Sequence, residues 1–432
     1  GTEMVAADLH PAFLVAAGCI VAKWLAELWL DNLNRQHVRA HAGKVPEAFR
    51  SIVDAPTYEK SVRYTLAKNS LSQFEITCDT IILLLVLGSG ILPLAFDRFT
   101  AGFGSSAASM AAFLFCVGVV LSMLSLPLAW YSQFRLEDRF GFNTTTQKLW
   151  WMDRVKGLIL ALLLGYPLTI LILKVIEWTG ASWWFWAWLC VMLFQLIIVV
   201  LAPVLIMPLF NKFTPLPEGS LRERLLALGR KTAFPAKGIQ VMDGSKRSRH
   251  SNAFFTGFGR FRKIVLFDTL IAQLTEPELE AVLAHEIGHY KKRHIVKMLV
   301  FSAMASLLGF YVIAVLARQE WFYRAFGFQP NSVAPALLLF ALLAGVVTFW
   351  FAPLANYWSR RYEYQADAYA AHITGEVASL SGALRKLNEK NLSNLTPHPV
   401  FSGFYYSHPT LLERENALAK LSSGGREVAV AT

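Results

Sequence analysis

Long apolar runs alternate with polar, cation-bearing segments along this chain. A spanning helix needs about 20 mostly apolar residues, and such runs lie at 11–31, 75–96, 107–131, 157–176, 183–207, 295–317 and 333–356. They predict seven transmembrane helices. The first contains Lys23 and Glu27, which share one helical face and either pair or look into a wet interior. The Trp and Phe residues around 183–188 suit an interfacial aromatic belt. Two stretches have a soluble pattern instead. In 209–294 a helix is expected over Ser220–Lys231, followed by strand-like runs at Ile239–Met242, Asn252–Thr256 and Lys263–Phe267. Asp243-Gly244 and Gly257-Phe258-Gly259 punctuate them, and alternation between Gly turns predicts a short antiparallel sheet. The stretch 357–432 is polar and helical in pattern.

The expected fold is therefore mainly α: a polytopic membrane protein with about seven transmembrane helices and a small α+β domain. Residues 1–208 would hold helices one to five with their loops, and 295–356 helices six and seven. Residues 209–294 and 357–432 would form the two cytoplasmic parts of the α+β domain.

Composition agrees with the pattern. The 432 residues are 55% hydrophobic and 16% charged, against about 45–50% and about 25% in soluble domains; mean hydropathy is +0.41. The net charge of +11 sits in loops, where Lys and Arg face anionic headgroups. No basic strand with interleaved aromatics is present, which argues against nucleic acid as a partner. Cations crowd 32–74 and 132–156 but are sparse in 97–106 and 177–182. The positive-inside rule then places the loops after helices one, three and five in the cytoplasm, the N-terminus outside and the C-terminus inside. Cys19, Cys78, Cys116 and Cys190 lie in or beside apolar runs without a C-x-x-C pair, so they read as small buried hydrophobes. Neither a cleavable signal peptide nor a C-terminal retention signal is expected. Short outer loops lean toward a bacterial inner membrane rather than the endoplasmic reticulum.

Chemistry concentrates on one predicted helix. Thr275-Glu276-Pro277-Glu278 is a capping box with Pro in the first turn. The helix continues to His285-Glu286-Ile287-Gly288-His289. Two His four residues apart project from one face and can share a tetrahedral zinc, with Glu286 placed to take a proton from an attacking water. A chance match would lie on an exposed polar helix; here Val282, Leu283 and Ile287 surround it, and burying two His and a Glu without a ligand is costly. A catalytic zinc has three protein ligands and an open position. Glu363, in Glu363-Tyr364-Gln365-Ala366-Asp367 just after the last span, is the candidate third ligand, and Asp367 could fix the tautomer of a ligand imidazole. Taken alone, that pair also fits a solvated helix face.

Asn252-Ala253-Phe254-Phe255, His285-Glu286-Ile287-Gly288-His289-Tyr290-Lys291, Glu363–Asp367 and Ser407-His408-Pro409-Thr410 occur in this order, preceded by Glu137-Asp138-Arg139-Phe140-Gly141-Phe142-Asn143. Together they resemble the integral-membrane CAAX prenyl protease 1 family over most of the chain. The resemblance implies seven helices enclosing a water-filled chamber and one zinc per chain held by His285, His289 and Glu363. It also implies Glu286 as base, with His408 and Arg414 stabilising the oxyanion and orienting substrate. Asn252, Ala253 and Phe254 would form an edge strand to which an extended peptide adds; an ordinary hairpin is the plainer alternative. His398 competes with His408 but lacks a partner equivalent to Arg414. His10, His37, His41, His250, His294 and His372 read as surface or interfacial. The expected activity is zinc-dependent endoproteolysis of peptides or proteins at the bilayer, possible substrates including prenylated C-terminal CAAX peptides. The competing readings are a quality-control protease of the same chemistry and a transporter or scaffold with a structural zinc.

Overall fold

The computed structural model describes residues 9–234, 236–257 and 262–423. Inside a bilayer every backbone polar group must be satisfied within its own segment, so the apolar runs become helices. Among the described residues, six helical stretches are long and apolar enough to cross: Pro11–Ala40, Ala55–Gly88, Ala107–Glu137, Gln147–Leu209, His294–Leu316 and Ala334–Thr374. The fourth holds two crossings. Helix α5 (Gln147–Leu160) runs through a π turn at Ala161–Gly165 into α6 (Tyr166–Thr179). The chain then breaks at Gly180, whose φ of +63° resists a side chain, and α7 (Trp183–Leu201) packs back on α6. Seven crossings result. Their outer surfaces leave Leu193, Leu196, Ile197, Met304 and Leu308 exposed, an apolar expanse that water would not tolerate.

Of the other helices, α1 is Pro11–Ala40 and α2 is Ala55–Gly88, so the second helix begins well before the apolar run at 75. Hydropathy reports the depth of the bilayer and not the length of the helix. The polar first half of α2 is held by packing, with Tyr58 and Val62 in the core of the soluble part. Ser89-Gly90 breaks the run, and α3 (Ile91–Phe103) and α4 (Ala107–Tyr131) follow.

The soluble part opens with strand β1 (Phe213–Pro215) and helix α8 (Ser220–Lys231), the latter over the expected residues. Strands β2 (Ala236–Met242), β3 (Ala253–Thr256) and β4 (Arg262–Phe267) complete a sheet of order β1-β2-β4-β3. It is mixed, a correction to the antiparallel expectation: β2 and β4 run parallel, while β1 pairs β2 and β3 pairs β4 antiparallel. Alternation of apolar positions is the same in parallel and antiparallel strands, so the pattern could not decide the direction. The turn at Gly257-Phe258-Gly259 lies partly outside the described residues.

Helices α9 (Asp268–Gln273), α10 (Glu276–Lys291), α11 (His294–Leu316), α12 (Glu320–Arg324), α13 (Ala334–Thr348) and α14 (Ala352–Thr374) follow, then α15 (Ala378–Lys390), α16 (Pro399–Tyr405) and α17 (Leu411–Ser423). Ile239, Ile264 and Leu266 of the sheet bury against Leu279, Leu283 and Ile287 of α10 and Leu380 of α15. Val38 of α1 joins the same core, so the soluble part is fused to the ends of the first two helices. A separate core, with Leu87, Phe96, Phe113, Phe322 and Leu339, holds the membrane bundle together.

The Glu137–Asn143 motif is a staple between these parts. Glu137 accepts from Tyr64 Oη (2.6 Å) and contacts His250 Nε2 (3.2 Å), and His250 meets Asn391 at 3.2 Å. Arg249 N donates to Phe142 O, and Arg247 forks onto both carboxylate oxygens of Asp153 at 2.8 and 2.9 Å. His250, stacked on Phe142 at 4.0 Å and half-buried, takes part in this junction, a role that the reading as surface or interfacial did not give it.

Candidate metal centre

Helix α10 begins where its capping box says it should. Glu278 N donates to Thr275 Oγ1 (3.4 Å), Thr275 N donates to Glu278 Oε1 (3.0 Å), and Pro277 stands in the first turn. The start fixes the helical phase, so His285 and His289 project from one side, while Ile287 on the other side is fully buried in the core.

Helix α14 crosses that face. Its closeness depends on two small residues: a Cβ placed on Gly288 would meet Ala366 Cα and O at 3.2 Å and Tyr369 Cδ1 at 3.1 Å. Glu363 and Asp367, one turn apart on α14, are buried at 5% and 2% exposure, which excludes the solvated-face reading. His285 Nε2 lies 3.1 Å from His289 Nε2 and 3.2 Å from Glu363 Oε2, and His289 Nε2 lies 3.1 Å from Glu363 Oε1.

Whether these atoms fit a metal follows from arithmetic. Ligand atoms on a tetrahedral zinc with bonds of roughly 2.0–2.1 Å stand about 3.3 Å apart, close to the observed separations. Glu363 Oε2 is moreover buried without a hydrogen-bond partner of acceptable geometry, as an atom reserved for a cation would be. Two imidazoles and a carboxylate suit a divalent transition metal.

Around this cluster the other expected residues assemble. Asp367 Oδ1 is 2.8 Å from His285 Nδ1, and Arg414 of α17 forks onto Asp367 through Nε (2.8 Å) and Nη2 (2.6 Å). Burial opposes charge on His285, but the hydrogen bonds and charges of Asp367 and Glu363 prevail and raise its pKa to about 9. Burial raises the pKa of Glu286, against the opposing pull of His285 and His289, so its carboxylate is a stronger base than usual. His408 Nε2 approaches Glu363 Oε1 at 3.4 Å, with 64% of its side chain exposed. A polar cavity of about 590 Å³ opens from His408 and Arg414 and is walled by Asp31, Asn34, Lys68 and Asn69. His398 is elsewhere: it caps α16 by accepting from Val400 N and faces the His37 ring.

Asn252 immediately precedes β3, with Ala253 and Phe254 in it; β3 is an edge strand of the sheet that packs beside α10. One residue was misread from sequence and one was missed. His294 is 2% exposed and contacts His289 Nδ1 at 2.9 Å, so it is not a surface residue. Gln365 meets His294 Nε2 at 2.7 Å and had no assigned role. Nothing in spacing flags either, because the chain doubles back between α10 and α11. Gly288, by contrast, was visible inside the motif as a small residue on the helix that carries both histidines.

Comparison with known proteins identifies the family. The family model for the CAAX prenyl protease N-terminal region, five membrane helices, matches residues 34–212, and that for peptidase family M48 matches residues 215–422. CAAX prenyl protease 1 of Saccharomyces cerevisiae is 36% identical, the match covering 95% of this chain and 96% of that protein. The homologs from Oryza sativa subsp. japonica and Homo sapiens are 34% and 33% identical, covering 95% and 92% of this chain and 98% and 94% of theirs. The crystal structure of S. mikatae Ste24p superposes with a TM-score of 0.88 at 35% identity, covering 94% of this chain and 99% of that one. With these matches spanning the membrane helices and the His-His-Glu cluster alike, the chain belongs to the CAAX prenyl protease 1 family and is a multi-pass, membrane-embedded metalloprotease.

Proposed function

We propose that the metal is zinc, one per chain, held by His285 and His289 through Nε2 and by Glu363, and that the enzyme cleaves peptide bonds within extended substrates. The observation that carries this reading is the convergence of both histidine Nε2 atoms and the two Glu363 carboxylate oxygens on one point, with His285–His289, His285–Oε2 and His289–Oε1 separations of 3.1–3.2 Å. Zinc bound there would lower the pKa of a water and polarise the scissile carbonyl. Glu286 takes the proton from the attacking water and returns it to the leaving amine, work that suits its raised pKa. His408, mostly exposed toward the cavity, donates to the oxyanion as charge develops. Arg414 spends its Nε and Nη2 hydrogen bonds on Asp367; it orients that carboxylate and contributes positive charge 3.7 Å from Glu363. Asp367 in turn fixes the His285 tautomer. The substrate pairs in extended form with the edge strand at Asn252, Ala253 and Phe254, which leads its carbonyl toward α10.

The substrates we propose are prenylated C-terminal CAAX peptides, after the names of the relatives. Cation-rich loops support a cytoplasmic face for the catalytic part, with the N-terminus outside. Support for a bacterial inner membrane over the endoplasmic reticulum is confined to the short outer loops. Purified enzyme given a farnesylated CAAX peptide and its unprenylated twin tests the reading, with Glu286→Gln and chelator-treated samples alongside. Cleavage of the farnesylated peptide alone, lost in both controls, is expected. Equal cleavage of both peptides would shift the substrate to unprenylated or damaged membrane proteins. Cleavage that survives Glu286→Gln would sink the mechanism.

A further inference from the structure

His289 turns Nε2 toward His285 and Glu363, and Nδ1 toward another histidine. His289 Nδ1 and His294 Nδ1 are 2.9 Å apart, and His294 Nε2 is 2.7 Å from Gln365 Oε1. Two nitrogens at that distance share one proton, and a neutral imidazole carries its single proton on one nitrogen only. The amide oxygen of Gln365 can only accept, so the His294 proton sits on Nε2 and its Nδ1 is bare. His289 must then donate from Nδ1, and its Nε2 lone pair is left for a metal. Were the amide reversed, each proton would shift one place, and His289 would be protonated at Nε2, the atom 3.1 Å from Glu363.

We propose that His294 and Gln365 form a relay that sets the tautomer of His289 and thereby holds it as a metal ligand. Both are positioning residues, and the inference rests on the ligand assignment above. The surroundings are built for this. The His294 ring is buried at 2% exposure and stacked on Tyr362, with centroids 4.2 Å apart and planes 14° from parallel, which holds its plane, while its contacts to His289 and Gln365 select one of the two flips. Arg293, between α10 and α11, adopts left-handed backbone angles (φ 57°, ψ 34°) that a side chain resists. That turn brings His294 back against His289, five residues earlier. Tyr362 and Gln365 flank Glu363 on α14, so one helix provides a ligand and orients a second.

The test measures zinc held against a competing chelator, and the visible absorption of the cobalt(II)-substituted protein, which reports ligand identity without turnover. His294→Leu should lose zinc about 10–100-fold more readily, the usual penalty for removing a group that orients a ligand, and should shift the cobalt bands. His294→Asn, whose Oδ1 can occupy the place of Nδ1, should recover most of the affinity. Gln365→Glu keeps an acceptor at an exposed position and, now anionic, should hold zinc at least as tightly as wild type. Gln365→Met, at an exposed position, should weaken zinc binding about tenfold without disturbing the core. Should His294→Leu melt in its metal-free form, Gln365→Met decides alone. Wild-type affinity and cobalt spectra in Gln365→Met and in any folded His294→Leu would overturn the relay. Wild-type protein that takes up neither ion would overturn the ligand assignment and the relay with it.

Discussion

His285 and His289 stand on the same face of the same helix, yet they are supported in opposite ways. Behind His285 is a carboxylate, Asp367, itself clamped by Arg414. Behind His289 is a neutral ring, His294, and beyond it an amide. An anionic support makes an imidazole more basic and binds a cation more tightly, at the cost of burying a charge. Arg414 offsets that cost on one side. On the other, His294 begins a transmembrane helix, where an unpaired carboxylate would be expensive. With a divalent ion present, the formal charges of Glu363, Asp367, Glu286 and Arg414 balance it to zero, and a second anionic support would break that balance. Under the ligand assignment and relay proposed above, the asymmetry means that a ligand can be oriented by proton placement alone where a buried charge would be costly.

The largest effect belongs to neither branch. Glu286→Gln removes the base and leaves both histidines supported, so turnover should fall about 10²–10⁴-fold while bound metal, measured by elemental analysis, stays near wild type. Loss of metal in that variant would mean that Glu286 is part of the ligand shell and that the comparison of two branches is incomplete.

Next come the branches themselves. Asp367→Asn should cost about 10–100-fold in metal affinity, and more than His294→Leu, because it also strands the buried Arg414 charge. Chelator competition on the two variants side by side checks the order. A larger loss from the neutral branch would reverse the charge argument.

The pH dependence is smaller in any one step. A proton on His285 competes with the metal, and its pKa in the metal-free site is about 9. Apparent metal affinity should therefore fall as pH drops below about 9, by roughly tenfold per unit from this group. The metal-free protein moves the other way: the raised pKa stabilises it fully below the unfolded value near 6.5, and that gain is lost as pH rises through 9. Asp367→Asn should shift the onset of metal loss to lower pH, since the group that raises the pKa is gone. An unchanged onset in a pH titration of zinc release would show that Glu363 alone sets it.

The sequence made the anionic branch legible and hid the neutral one. His285 and His289 announce themselves through helical spacing, because residues four apart share a face wherever the helix is placed. Glu363 and Asp367 share a face by the same rule, but that spacing alone fitted a solvated face equally and the family resemblance had to single them out. His294 and Gln365 depend on Arg293 reversing the chain and on the register of α14 against α10, which are tertiary facts without local periodicity. The same division runs through the fold. Apolar length revealed all seven crossings, and turn residues revealed three of the four strands. Strand direction and the early start of α2 stayed hidden, since alternation ignores direction and hydropathy ignores helix outside the bilayer. Phe213–Pro215 was missed because three residues ending in Pro at a sheet edge carry almost no strand signal.

The smallest effect is the most discriminating control. Thr275 caps α10 ten residues before His285, so Thr275→Ala weakens the helix that carries both histidines without touching either support. The loss of one N-cap hydrogen bond should lower stability by about 1 kcal/mol, softened because Glu278 retains its ion pair with Lys386. Thermal melting in detergent reads that change, and chelator competition should find metal affinity within about twofold of wild type, since capping effects rarely travel beyond the first turn. If Thr275→Ala instead released metal as readily as Asp367→Asn, the position of α10 as a whole would govern the site. The difference between a charged and a neutral support would then be secondary to how firmly their common helix is anchored.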